Sequence, residues 1–302
     1  MFKYLLGLFF VLCFLADATA QQIKLRRINL SKKYTATYNC SVDELYKVIQ
    51  GNDSIDETEW VISDATLDIE QDILEKKKDY QLVDYKIFNF FRKDSIRKAN
   101  GIIDTMTNMG KTPLVKVIFQ YDRKGGFLGP TVEINAQLQQ TRDFKYMYNR
   151  SKNLMFNIGY LNSALGDTMM KRTDTLFHAG FDLVINHLFK VTIGNRVDTL
   201  GQKCFELFFS SHEGTFTGSD NMMKALGLSA IHSGSAKVQG RMLIEEKTGR
   251  LVFYDEFGDF DGIVAVKTGA ESFNWPSTYT YERKMVLNTL IKKPRKKIFG
   301  IF

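Results

Sequence analysis

Along much of this chain apolar and polar residues change places at every second position, and no other feature limits its folding so strongly. Leu183, Ile185, His187, Phe189, Val191 and Ile193 fall on one side of such a run, with Asp182, Asn186, Lys190 and Thr192 on the other. Val132, Ile134, Ala136 and Leu138 alternate in the same way, as do Val115, Val117, Phe119 and Tyr121. Ala236, Val238, Met242 and Ile244 oppose Lys237, Gln239, Arg241 and Glu245. Phe273, Trp275, Tyr279, Tyr281, Met285 and Leu287 share one parity. A period of two is the period of a β-strand. One apolar and one polar face per strand is the pattern of antiparallel sheets, because buried parallel strands are apolar on both faces.

Turn residues separate these runs. Glu246 to Arg250, with Gly249 in the left-handed position, reads as a hairpin. Asp122-Arg123-Lys124-Gly125-Gly126 and Gly194-Asn195-Arg196 read the same way. Four segments carry helical signals. Ser41-Val42-Asp43-Glu44 is a capping box ahead of Leu45, Tyr46, Val48 and Ile49, with Gly51 as a stop. Asp94 caps a second candidate, with Ile96, Ala99, Ile103 and Met106 at helical spacing and Gly110 at its end. A third runs through Leu154, Met155, Ile158, Leu161 and Leu165, and a short fourth spans Asn221 to Leu228. The expected fold is all-β or β-dominated α+β: a large curved antiparallel sheet, a half-barrel or sandwich, with three or four packed helices. Residues 21–290 are expected to form one β-rich domain, whose two halves would join through 141–175.

The first twenty residues have the parts of a signal peptide. Lys3 is the positive end, Leu5 to Leu15 is apolar apart from Gly7, and Ala18-Thr19-Ala20 offers small residues before cleavage at Gln21. The apolar run is short for a bilayer span. Export is therefore expected, to a periplasmic or extracellular compartment. The net charge of +7 would point to nucleic acid inside a cell. Outside the cytoplasm it points to anionic lipid headgroups, acidic glycans or lipopolysaccharide. Lys292, Lys293, Arg295, Lys296 and Lys297 form a basic tail, residues 291–302, ending in Ile298-Phe299-Gly300-Ile301-Phe302. Two readings stand for it: a solvated charge run, or a patch touching an anionic membrane surface. After cleavage Cys40 and Cys204 remain, either as one disulfide or as two separate buried thiols.

A search for chemistry finds no catalytic motif, metal signature or cofactor. Gly110-Lys111-Thr112 resembles the end of a phosphate loop, but Thr105 stands where that loop needs glycine. Ser210-Ser211-His212-Glu213 puts triad residue types side by side in sequence, whereas a triad must converge in space. His187 lies on an apolar strand face and reads as a hydrogen-bonded core histidine. Asp255, Asp259 and Asp261-Gly262 echo a calcium loop that lacks two key ligands. From His212 to Gly234 the chain holds four glycines together with Phe216, Met222, Met223, Leu226, Leu228 and Ile231. That segment reads either as a connection covering the end of the sheet or as a mobile lid over an apolar cavity.

The leader, the alternating strands, the Lys247-Thr248-Gly249-Arg250 hairpin and the apolar loops together resemble exported Gram-negative proteins of the lipoprotein-carrier and outer-membrane lipoprotein-receptor type. The resemblance rests on residues 182–290 and is architectural. It implies a curved antiparallel sheet around an apolar pocket and carries over no functional residue. The expected function is non-catalytic binding of a lipid, another apolar or amphipathic ligand, or a cell-envelope component. The alternatives are an envelope protein that pairs with a partner by a sheet edge and, behind it, an exported hydrolase.

Overall fold

The computed structural model describes residues 28–50, 57–97, 103–109, 115–131, 168–178, 181–220, 229–269 and 271–293. They form twelve strands: β1 (Tyr34–Gln50), β2 (Glu57–Lys76), β3 (Tyr80–Arg97), β4 (Ile103–Met109), β5 (Val115–Asp122), β6 (Phe127–Pro130), β7 (Thr168–His178), β8 (Phe181–Thr199), β9 (Gln202–Asp220), β10 (Ser229–Glu245), β11 (Leu251–Thr268) and β12 (Glu271–Lys292). All belong to one sheet, in the order β6-β5-β3-β2-β1-β12-β11-β10-β9-β8-β7, with β4 also pairing β3. The observed pairings are antiparallel. The strands on either side of 141–175 therefore share a single sheet, joined where β1 lies along β12.

The alternating faces are as the sequence predicts. Val115, Val117, Phe119 and Tyr121 are buried on β5; Leu183, Ile185, His187, Phe189 and Val191 are buried on β8. The run Val132–Leu138 lies outside the described residues. Gly249 and Gly125 occupy the left-handed region, φ 73° and 91°, in the hairpins expected for them. Gly194-Asn195-Arg196 does not turn; it lies within β8 beside a register shift, and the chain reverses at Leu200-Gly201 instead.

The first two expected helices are strands. Ser41 to Gln50 is the second half of β1, paired with β12 on one side and β2 on the other. Its capping box is outweighed by a period-two pattern in the same residues: Cys40, Val42, Glu44, Tyr46 and Val48 all face inward. Asp94 to Arg97 ends β3, and Ile103–Met109 returns as β4, so the helical spacing there is a coincidence of two strands. The other two expected helices, at 154–165 and 221–228, lie outside the described residues.

The buried face is the concave one. Tyr46 on β1 and His232 on β10 stand three strand positions apart in the sheet. Even so, the Tyr46 hydroxyl and His232 Nδ1 are 3.2 Å apart. Only a strongly curled sheet brings them together, since a flat one would separate their strands by about 14 Å. Glycines allow the curl, with aromatic rings lying over them. Gly240 leaves room for the Phe209 ring, 2.4 Å from where a Cβ would stand, and Gly258 does the same for Tyr281 at 2.2 Å. Phe209 and Tyr254 consequently stack across β10 with centroids 5.8 Å apart.

One end of the curl is tied shut by residues just before β1. Ile28 N donates to Arg123 O (2.7 Å), and Asn29 N donates to Thr248 O (2.8 Å). These acceptors lie in the β5–β6 and β10–β11 turns, from opposite wings of the sheet. Lys76 at the end of β2 reaches Asn29 Oδ1 and Leu30 O, while Lys293 N donates to Lys33 O. Ile28 and Leu30 are fully buried in this closure.

Gly240→Val should destabilise the fold. Its side chain would meet Asp255 O and the Phe209 ring, and overpacking of this kind costs about 1–3 kcal/mol. Thermal unfolding should show a drop in Tm; an unchanged Tm would mean that the rings do not need the space.

Candidate functional site

The concave face begins with apolar side chains and is interrupted by a few buried charges. Across its middle runs one ladder row: Val42 on β1, Arg283 on β12, Glu256 on β11, Gly240 on β10 and Phe209 on β9. Glu256 is 1% exposed. Its carboxylate accepts hydrogen bonds from the Tyr254 hydroxyl, from the Tyr281 hydroxyl at 2.8 Å and from Arg283 Nη1 at 3.4 Å. The Arg283 guanidinium also covers the Tyr281 ring at 4.1 Å. Burial, followed by the Glu256 charge, holds the Tyr281 phenol well above its ordinary pKa, so it remains a donor. Three donors on one carboxylate offset the cost of burying it.

A second buried pair lies on β3. Arg92 makes a bidentate contact with Asp94, Nε to Oδ1 at 3.0 Å and Nη2 to Oδ2 at 2.7 Å, and Ser63 on β2 donates to the same carboxylate. Of these charged groups the sequence marks only Asp94, and that as a helix cap. The signal available was parity: Glu256 and Arg283 stand at positions that alternation assigns to the apolar face, as Glu44 does on β1.

Toward the other end of the curl the apolar lining reaches solvent. Phe273 and Trp275 continue the inward parity of Ser277, Tyr279 and Tyr281 on β12, and their rings stack with centroids 6.2 Å apart. Phe273 is 42% exposed, while Tyr279 and Tyr281 further along are buried. Beneath this mouth the face is filled by its own rings. Phe260 stacks on Tyr279 at 5.4 Å and contacts Phe216 at 5.6 Å.

On β1 and β2 the convex face is polar: Thr35, Thr37, Asn39, Ser41 and Asp43 point outward on β1, and Asp64, Thr66, Asp68, Glu70 and Asp72 on β2. That is not the lipid-facing band of a transmembrane barrel. No helix among the described residues is long and apolar enough to cross a membrane. On this face a shallow groove of about 760 Å³ crosses β8 to β11, with the half-exposed rings of Phe208 and Phe257 beside Lys190, Arg241 and Asp255.

The structure places the sequence candidates as follows. Phe216 is buried in β9 and Ile231 stands on β10, 46% exposed. The expected lid is therefore largely strand: β9 runs to Asp220 and β10 resumes at Ser229, because both sides of the segment keep pairing, Phe216 with Gly234 and Ser219 with Ile231. Met222, Met223, Leu226 and Leu228 lie outside the described residues, as does Gly110-Lys111-Thr112. His187 is the hydrogen-bonded core histidine expected, its Nδ1 lying 3.2 Å from Ser211 Oγ. That serine partners His187 across the sheet rather than its neighbour His212, which is exposed. Asp255, Asp259 and Asp261-Gly262 lie in the extended strand β11, and no group of metal-ligating side chains forms among the described residues.

Cys40 and Cys204 are both buried and both free. They sit on β1 and β9 with three strands between them, so the disulfide reading gives way to two separate thiols. Lys292 ends β12, and Lys293 Nζ pairs with Asp72 at 2.8 Å, so the basic tail begins inside the fold. Arg295, Lys296 and Lys297 lie outside the described residues.

No protein-family model matches the chain, and no curated protein sequence matches it. Among solved structures it is similar to one of lipovitellin described by its lipid–protein interactions, at 11% identity and a TM-score of 0.43, covering 87% of this chain and 26% of that one. It thus spans about a quarter of the lipovitellin chain. It is also similar to OccK7 (OpdD) of Pseudomonas aeruginosa, at 8% identity and a TM-score of 0.27, over 85% of this chain and 99% of that one. Salmonella typhi OmpF, in a complex with daunomycin, aligns at 7% identity and a TM-score of 0.19, over 83% of this chain and 97% of that one. At such scores none of the three lends a residue role to this chain.

Burial, helped by Glu245, Glu246 and Asp198, pushes the Cys204 thiol up to about 12. At pH 8 that leaves roughly one thiolate in ten thousand. The native protein should therefore resist thiol-reactive maleimide at Cys204 and Cys40, and take up two equivalents there once denatured. Mass spectrometry that finds the native pair already joined, or rapidly labelled, would contradict the assignment.

Proposed function

We propose that this chain is an exported, non-catalytic binding protein that holds an apolar or amphipathic molecule against the open end of its concave face. The reading is supported above all by the stacked pair Phe273 and Trp275. Apolar rings on the inward parity of a curled sheet are normally buried, and these run out into solvent at its mouth. A half-exposed aromatic surface continuous with a core marks a place where another molecule completes the burial. Among the described residues the opposite end is tied shut by Ile28 to Leu30, which favours entry at the mouth. The exposed rings of the convex face, Phe208 and Phe257, instead lie in a shallow groove among the charged side chains Lys190, Arg241 and Asp255. The leader at residues 1–20, outside the described residues, would place this activity in the cell envelope.

Titration of the purified protein with N-phenyl-1-naphthylamine tests the idea. The dye should bind with micromolar affinity, brighten and quench tryptophan emission. Trp275→Ala should weaken binding about 5–10-fold, the scale of losing one aromatic contact; the ring also packs against the core, so a modest drop in Tm is expected with the fold retained. Absence of dye binding, together with native mass spectra showing only the bare polypeptide from envelope extracts, would refute the proposal.

A further inference from the structure

The closed end of the curl carries a clear excess of positive charge. The segments tied together there are 28–35, 72–80, 121–128, 195–204, 244–251 and 289–293. They carry thirteen Lys and Arg against seven Asp and Glu, an excess of six. Hydrogen bonds show that these segments form one surface. Residues 28–33 join the β2, β5–β6, β10–β11 and β12 ends, and Glu246 N donates to Lys203 O beside the β8–β9 turn. Among these lysines, Lys32, Lys78, Lys124 and Lys247 are exposed.

Large aliphatic side chains stand out among them. Leu200 is 59% exposed, Ile291 57% and Leu128 56%. Leu200 is anomalous twice over. It forms the first central position of the two-residue β8–β9 turn, at φ 50° ahead of Gly201 at φ 70°. Such a turn favours Asn-Gly, and a leucine in the left-handed region is strained as well as wetted.

We infer that the closed end docks on an anionic lipid bilayer, its lysines lying over the headgroups and Leu200, Leu128 and Ile291 entering the interface. A basic surface attracts anionic lipid over roughly a Debye length, and protruding aliphatic groups then add hydrophobic contact. A soluble polyanion would use the lysines and leave the leucines in water, so the combination favours a membrane. This inference is independent of ligand binding at the opposite end.

Vesicle co-sedimentation of the full-length purified protein tests it, with pure phosphatidylcholine compared with a mixture containing phosphatidylglycerol. Binding should require the anionic lipid and weaken as salt rises. Lys78→Ser combined with Lys247→Ser should lower affinity about 25-fold, at roughly five-fold for each lysine. Leu200→Asn installs the residue the turn prefers, so Tm should hold or rise while vesicle affinity falls several-fold; a purely structural leucine would not separate the two readouts. The inference is overturned by equal binding to neutral and anionic vesicles, by Leu200→Asn binding as well as the parent, or by capture on heparin with no sedimentation on either vesicle. Dye binding at the mouth should be unaffected by all three substitutions, which keeps the two proposals separately testable.

Discussion

The ladder between β1 and β12 is the constraint on which the rest depends. It pairs Tyr34 with Lys292 and Val48 with Ser277, contacts between residues more than two hundred positions apart. Without it the strands β1 to β6 and β7 to β12 would be two separate sheets, each with a second open edge. With it, the first and last long strands become the middle of one sheet, and the wings curl from there toward each other. Closing so long a loop is entropically costly, so the inward residues of these two strands must repay it. Tyr38, Cys40, Val42, Tyr46, Tyr279, Tyr281, Met285 and Leu287 are all buried.

Curvature follows from where side chains are missing as much as from where they are present. Gly214 and Gly234 bring β9, β10 and β11 so close that a Cβ would lie 2.1 Å from Ala236 O and 2.2 Å from Asp261 O respectively. Next to them the β9–β10 register slips between Ser235 and Gln239. A slip of this kind increases local twist and bends a strand. The aromatic rings then fill the inside of the bend, which is why Phe209, Phe216, Tyr254 and Phe260 touch across intervening strands.

The sheet was legible in the sequence wherever one face is apolar, because a period of two states both the element and its inward side. It was illegible where an inward position is charged. Glu44 turned an alternating strand into the look of a capping box, and Asp94 did the same at the end of β3. Both carboxylates are buried, and Asp94 is held by Arg92 and Ser63, partners at short range in space that no local pattern announces. The strand ends on either side of 221–228 were hidden for a similar reason: the glycines at 214 and 234 read as loop, whereas here they let strands approach. The pair Phe273 and Trp275 was visible as parity, but that they face solvent depends on where the concave face ends.

The same geometry fixes how the two proposed activities stand to one another. The strands run from the closed, basic end to the open, aromatic one, and β12 with its 22 residues is about 70 Å if fully extended. Strand curvature shortens that span without reversing it. A molecule resting on its basic end would therefore hold Phe273 and Trp275 several tens of ångströms from the headgroups. An amphipathic ligand would not pass straight from that bilayer into the mouth; it would be met, or handed over, on the aqueous side. The polar convex face suits such a posture, since Thr37, Asn39, Asp64 and Asp68 along the middle of the sheet stay hydrated with either end engaged.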